Sequence, residues 1–191
     1  MQNTQNISSI LYKFNLFTFY VVVFLFIFSC NNTEQVKKSI NDNQNIDFPD
    51  QIMHKLKVNF IDSNRIKAIL TGNRARIYTD RKETWVDSNV FVEFYSRKND
   101  KKESLLYSDS AKIDDRTKNM FAYGNVKVVK IDSGNTILTT QLLEWNQRER
   151  KLYSTEFIRL ESPIEIIEGY GFESDQSLNN YKIFKVSGEK K

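Results

Sequence analysis

From about residue 57 onward the chain alternates apolar and polar side chains with a period of two, and no stretch there sustains apolar residues at i, i+3, i+4 and i+7. Period two is the spacing of a β-strand with one buried face. Val90, Val92 and Phe94 share one side, with Glu93 on the other. Val126 and Val128 flank Lys127, Phe157 and Arg159 oppose Ile158 and Leu160, and Ile164 and Ile166 bracket Glu165. Turn signals punctuate these runs at Thr71-Gly72-Asn73, Lys98-Asn99-Asp100, Asp114-Asp115, Asp132-Ser133-Gly134-Asn135 and Asn179-Asn180. The pattern predicts an all-β fold. A hydrophobic fraction of 40%, with 13% aromatic residues, is enough to fill its core and excludes wholesale disorder.

The strands repeat. Setting Ala75-Arg76-Ile77 on Ala111-Lys112-Ile113, an offset of 36, places Trp85 on Phe121, Asn89 on Asn125 and Val90 on Val126. A further offset of 31 carries Phe121 to Leu152, Gly124 to Thr155 and Val126 to Phe157, the shorter spacing being assigned to an insertion at Arg97–Lys102 in the earlier unit. A partial fourth copy runs from Gly171 to Gly188. Such units bury a continuous apolar seam only when stacked on their neighbours.

Ahead of the repeats lies a different kind of segment. Lys13 precedes an apolar run from Phe14 to Phe28 with no acidic residue upstream, and Ser29-Cys30 follows. A basic start, an apolar centre and a small residue before the cut are the parts of a secretory signal. At 1.5 Å per residue the run covers about 22 Å, short of the ~30 Å hydrocarbon core. Ile27-Phe28-Ser29-Cys30 resembles a lipobox, with Phe28 larger than the usual residue at its place. The expectation is a signal peptide over 1–29, acylation of Cys30, a polar Asn-rich tether over 30–52 and a β-domain over 53–191. The alternative is an uncleaved anchor helix with Cys30 a bystander. Either places the domain outside the cytoplasm.

Composition removes several function classes. Without Lys13, 27 basic residues face 24 acidic ones, spread along the chain with no clustered basic face, so no nucleic-acid partner is expected. One cysteine permits neither an internal disulfide nor a Cys-rich zinc site. His54 is the only histidine, so a Ser-His-Asp triad or His-based metal site lacks its parts. Asp114-Asp115 reads as a solvated corner. Lys98, Lys101 and Lys102 read as a hairpin tip, with contact to a lipid phosphate as the alternative. Gly169-Tyr170-Gly171 lacks the third glycine and following helix of a nucleotide fingerprint, and reads as a strand bend or close backbone approach. No G-x-x-x-x-G-K-[ST] loop is present, so the chain shows no means of using ATP. Neither an enzyme nor a cofactor or metal is expected.

The runs Ala111-Lys112-Ile113-Asp114, Tyr123-Gly124-Asn125-Val126-Lys127-Val128 and Gly134–Asn146, with Glu168–Asp175 near the end, resemble the LptC family of the wider OstA-like group. The likeness covers roughly Lys57 to Gly188. It implies a twisted β-jelly roll, apolar inside and open along one seam, that takes lipopolysaccharide acyl chains from an inner-membrane ABC transporter and passes them to LptA. It also implies a place at the periplasmic face of the inner membrane of a Gram-negative envelope. Some members keep a membrane helix where this chain has Cys30. Lipid contact is then expected on Val90, Val92, Phe94, Phe121, Val126, Val128, Leu143, Trp145, Leu152 and Phe157, and a partner contact or structural turn at Gly169 and Gly171. From the residues alone the ten apolar positions favour a closed core, as in a structural adaptor that joins partners through its strand edges without carrying lipid, and the resemblance reverses that preference for the set though not for any one member.

Overall fold

The computed structural model describes residues 48–131 and 136–189; the signal segment, Cys30, most of the tether and the 132–135 turn lie outside the described residues. Nine strands follow in chain order: β1 (Gln51–Asp62), β2 (Arg65–Tyr78), β3 (Glu83–Tyr95), β4 (Lys102–Asp114), β5 (Met120–Lys130), β6 (Ile137–Asn146), β7 (Lys151–Glu161), β8 (Ile166–Asp175) and β9 (Tyr181–Glu189). Each pairs antiparallel with the next, giving one sheet in the order β1 to β9. The fold is all-β, as the period-two pattern predicts, and no helix occurs among the described residues. β1 takes in Gln51 and Ile52, which the sequence reading leaves in the tether.

Three of the turn signals fall at described reversals, Lys98-Asn99-Asp100, Asp114-Asp115 and Asn179-Asn180, because short polar side chains satisfy their own backbone there. Asp114 accepts hydrogen bonds from the Arg116 and Thr117 amides at 2.8 and 3.0 Å. Asp175 does the same for the Asn179 amide at 2.9 Å. Thr71-Gly72-Asn73 is the exception. It lies inside β2, where pairing with β3 slips between Thr71 and Arg74. The reversal comes earlier, at Ser63-Asn64, whose φ angles of 49° and 62° make the two-residue hairpin turn that matches strand twist.

The slip in β2 is one of a line. Pairing shifts between Asp87 and Val90, Tyr107 and Ser110, Tyr123 and Val126, Thr140 and Glu144, and Ser154 and Phe157. These positions lie side by side across consecutive strands. A bulge bends its strand and raises its twist, so a row of them creases the whole sheet. The creased sheet forms a twisted β-jelly roll whose inner faces meet. The Phe60 ring of β1 packs edge-on against Trp145 of β6 at 5.0 Å, and Phe94 of β3 tilts against the same indole at 5.3 Å.

Candidate functional site: an apolar interior and its polar seam

Eight of the ten residues expected to contact lipid share the inner face. Val90, Val92, Phe94, Val126, Val128, Leu143, Trp145 and Leu152 are each 2% exposed or less. The roll therefore encloses them as a packed core. Trp145, held between Phe60 and Phe94, is the largest of these side chains.

Phe121 and Phe157 are not among them. Phe157 stands 41% exposed on the outer face, edge-to-face with Tyr170 at 5.4 Å. Phe121 is half-buried on that face, with the Lys112 ammonium 5.0 Å from its ring. Their neighbours Met120, Ala122 and Ile158 turn inward. The cause is register. The buried positions align Val126 with Ile158 and Ala122 with Ser154, a spacing of 32 where the repeat reading has 31. One residue of slip exchanges the faces of a strand.

The interior is reached at one end of the roll. A cavity of about 440 Å³ opens beside β1, lined by Leu56, Val58, Phe60, Ile77, Ile113 and Gln147 among others. Phe60 both lines it and covers Trp145. Along the seam, polar groups from non-adjacent strands meet. The Arg150 guanidinium and the Gln176 amide both donate to the Tyr95 carbonyl, the latter at 2.7 Å. The Gln176 side-chain amide also donates to the Glu103 carboxylate at 3.0 Å, and the Gln176 backbone carbonyl accepts from the Ser104 hydroxyl. Lys67, only 5% exposed, donates to the Gln147 carbonyl and pairs with Asp62, both at 3.3 Å. Lys130 bridges to Asn179 at 2.6 Å. Burial pulls the Arg150 guanidinium below its ordinary pKa, with Glu103 opposing. Sequence reasoning missed these residues, because a lone Arg or Gln beside a turn carries no signal that it closes against a strand some fifty to eighty positions away.

The remaining candidates play local parts. His54 is exposed on β1. Asp115 accepts from the Thr84 hydroxyl at 3.0 Å. Lys98 and Lys101 are exposed in the β3–β4 turn, while Lys102 pairs with Glu93. Gly169 and Gly171 sit in β8 against β9. Among the described residues no group of three or more His, Cys, Asp or Glu side chains could hold a metal ion.

An all-antiparallel jelly roll with an apolar interior and, among the described residues, no pairing between its first and last strands defines a class of open, non-barrel β-modules. The chain belongs to the LptC-related family of lipopolysaccharide-assembly proteins, whose model matches residues 19–187. That membership supports a role in lipopolysaccharide transport. Among solved structures, the chain is similar to LptH of Pseudomonas aeruginosa, the LptA-homologous periplasmic component of its lipopolysaccharide transport device. The two share 9% identity with a TM-score of 0.48, over 62% of this chain and 82% of that one. Comparison with curated proteins returns no match.

Proposed function

We propose that the chain is a non-enzymatic carrier, held at the periplasmic face of the inner membrane by acylated Cys30. It accepts lipopolysaccharide from an inner-membrane ABC transporter and passes it to LptA. The acyl chains enter the roll while the sugars stay in water. What carries this reading is the continuous apolar inner face, running from Leu56 and Phe60 of β1 to Phe172 of β8. At about 0.8 kcal/mol per buried methylene, an acyl chain gains more there than polar contacts supply. Among the described residues the outer edges of β1 and β9 carry no partner strand, which suits head-to-tail extension from one module to the next. Binding this strong needs driven release, which a partner ATPase supplies.

The test is photo-crosslinking in cells from Phe94 or Val128, with Glu93 on the opposite face as reference. Labelling of lipopolysaccharide is expected from the inner sites and far less from Glu93. A second reading, a structural adaptor that joins partners through its strand edges, is favoured by the near-zero exposure of the eight inner residues. Equal, weak labelling from all three sites, with transport still stalled on depletion, would select it.

A further inference from the structure

On the outer face a second cavity, of about 400 Å³, lies over the crease between β5, β6 and β7. Its origin is the widest gap in the strand pairing. Between the Thr140–Ile158 and Glu144–Tyr153 pairs, residues 141–143 lie opposite 154–157 without paired partners. Side chains hold this gap open. The Thr140 hydroxyl donates to the Phe157 carbonyl at 2.8 Å, and the Ser154 hydroxyl to the Leu142 carbonyl at 2.7 Å. Bulged backbone re-aims the side chains beside it. Here it brings Asn125, Lys127, Gln141, Glu156, Phe157 and Arg159 around one hollow. The hollow sits at mid-strand, whereas the seam joins strand ends, through Arg150 and Gln176 on Tyr95. It is therefore separate from the interior and from the seam.

The lining sets an apolar platform beside a polar rim. Phe157 meets Tyr170, itself 55% exposed, edge-to-face at 5.4 Å, so the platform continues onto β8. The Gln141 carbonyl oxygen accepts from the Asn125 backbone amide at 3.5 Å, which leaves the Gln141 NH2 group uncommitted. Arg159 is taken up by Glu168. The Lys127 ammonium is exposed and joins no ion pair among the described residues. An acyl chain would strip water from Lys127, Gln141 and Glu156 and return no hydrogen bond to them. A small inorganic anion would leave the rings unused and meet the Glu156 carboxylate. A peptide strand adds at a free sheet edge, and this hollow lies inside the sheet. A sugar suits every part. The C–H face of its ring covers Phe157, its hydroxyls pair with the Gln141 amide and the Glu156 carboxylate, and an acidic substituent meets Lys127. The volume is that of an ordinary ligand pocket.

We propose that this hollow binds an acidic sugar unit of a polysaccharide, with Phe157 as platform and Lys127 as the partner of its carboxylate. The sugars of a lipid held in the roll would emerge at the seam, on the far side from the crease, so the ligand is a polysaccharide other than the transported lipid. The inference rests on the proposed function for the compartment alone, and not on the interior taking lipid.

The experiment is calorimetric titration of the full-length chain, in phosphatidylcholine nanodiscs, with tetragalacturonate and with galactotetraose, which differ only in the carboxylates. The wild type is expected to bind the acidic sugar about two- to fivefold more tightly at low salt, the range one exposed ion pair supplies. Lys127→Gln should erase that preference, while Lys98→Gln, in the exposed β3–β4 turn, should keep it. Phe157→Ser should weaken both sugars about three- to tenfold, the weight of one aromatic contact, and leave the preference between them. Both side chains are exposed, so neither substitution endangers the fold. Equal wild-type affinities, a preference that survives Lys127→Gln, or no binding of either sugar overturns the proposal. Lipopolysaccharide freed of its acyl chains is the third ligand. If it binds more tightly than tetragalacturonate and loses that advantage in Lys127→Gln, the assignment to a separate polysaccharide is overturned. Crosslinking of lipid from Phe94 is read independently, so the carrier reading stands or falls apart from this one.

Discussion

At Gly169 the β8 backbone runs so close to β9 that a Cβ would lie 2.3 Å from the Lys185 carbonyl oxygen. Because that neighbour is backbone, no rotamer change relieves the clash. Gly169→Ala is therefore expected to push β9 off the sheet. The global loss should be about 1–3 kcal/mol, read from urea unfolding, with the fastest new amide exchange in β9. Gly171 has a different reason to be glycine: its φ of 79° is left-handed, and alanine there costs about 1–2 kcal/mol. Phe157 on the outer face and Ile158 on the inner one give a second residue-scale test. Phe157→Ser removes an exposed ring and should change stability by no more than ~0.5 kcal/mol. Ile158→Ala beside it empties a fully buried position and should cost about 2–5 kcal/mol. If the two losses came out equal in thermal and urea unfolding, the assignment of faces in β7 would be wrong.

The crease belongs to the strands together, and Asp87 pins one end of it. Its carboxylate accepts from the Arg74 guanidinium at 2.9 and 3.1 Å and from the Arg76 guanidinium at 2.9 and 3.0 Å, across the β2–β3 bulge. Burial raises the pKa of Asp87, but the hydrogen bonds from Arg76 and Arg74 outweigh it and hold the group below the ordinary carboxylate range. A depressed folded value means the contribution is whole at neutral pH and is lost as pH falls below about 4 and through the folded value. Asp87→Asn should cost about 1–2 kcal/mol at pH 7, allowing for the half-exposed Arg74, and should flatten the acid limb of stability against pH. An acid limb unchanged by the substitution would remove Asp87 from the account. The same bulges explain what the sequence could and could not convey. Alternation in Val90-Phe91-Val92-Glu93-Phe94 is visible because strand geometry is local. A bulge carries no apolar signal that would fix the spacing between units, so matching them at 31 residues instead of 32 puts Phe157 on the face that Ile158 occupies. Thr71-Gly72-Asn73 carries a turn's sequence yet forms a bulge inside β2, since bulge and turn draw on the same residues. The interior row through Trp145 was legible one side chain at a time, whereas the Arg150–Tyr95 seam, made by folding the sheet over, was not.

For the whole molecule, a packed interior and a lipid cargo are compatible only if the inner faces part somewhere. The crease is continuous backbone and cannot open. The seam can, since only side-chain contacts and short turns cross it: Arg150 and Gln176 on Tyr95, Lys67 on Gln147, Lys130 on Asn179. Arg150 is the contact to remove. Its burial already weighs against its charge, so replacing it with a side chain of similar reach but no donor weakens the seam without leaving a buried cation. Arg150→Met is expected to lower stability modestly, by about 1 kcal/mol, while amide exchange in β3 and β7 quickens. Crosslinking of lipopolysaccharide from a photoreactive residue at Phe94 should rise in the same variant, because the closed state no longer competes as well with lipid for the inner face. Faster exchange with unchanged crosslinking would separate the two events and place the route for lipid at the β1 cavity, where Phe60 would then be the group that moves.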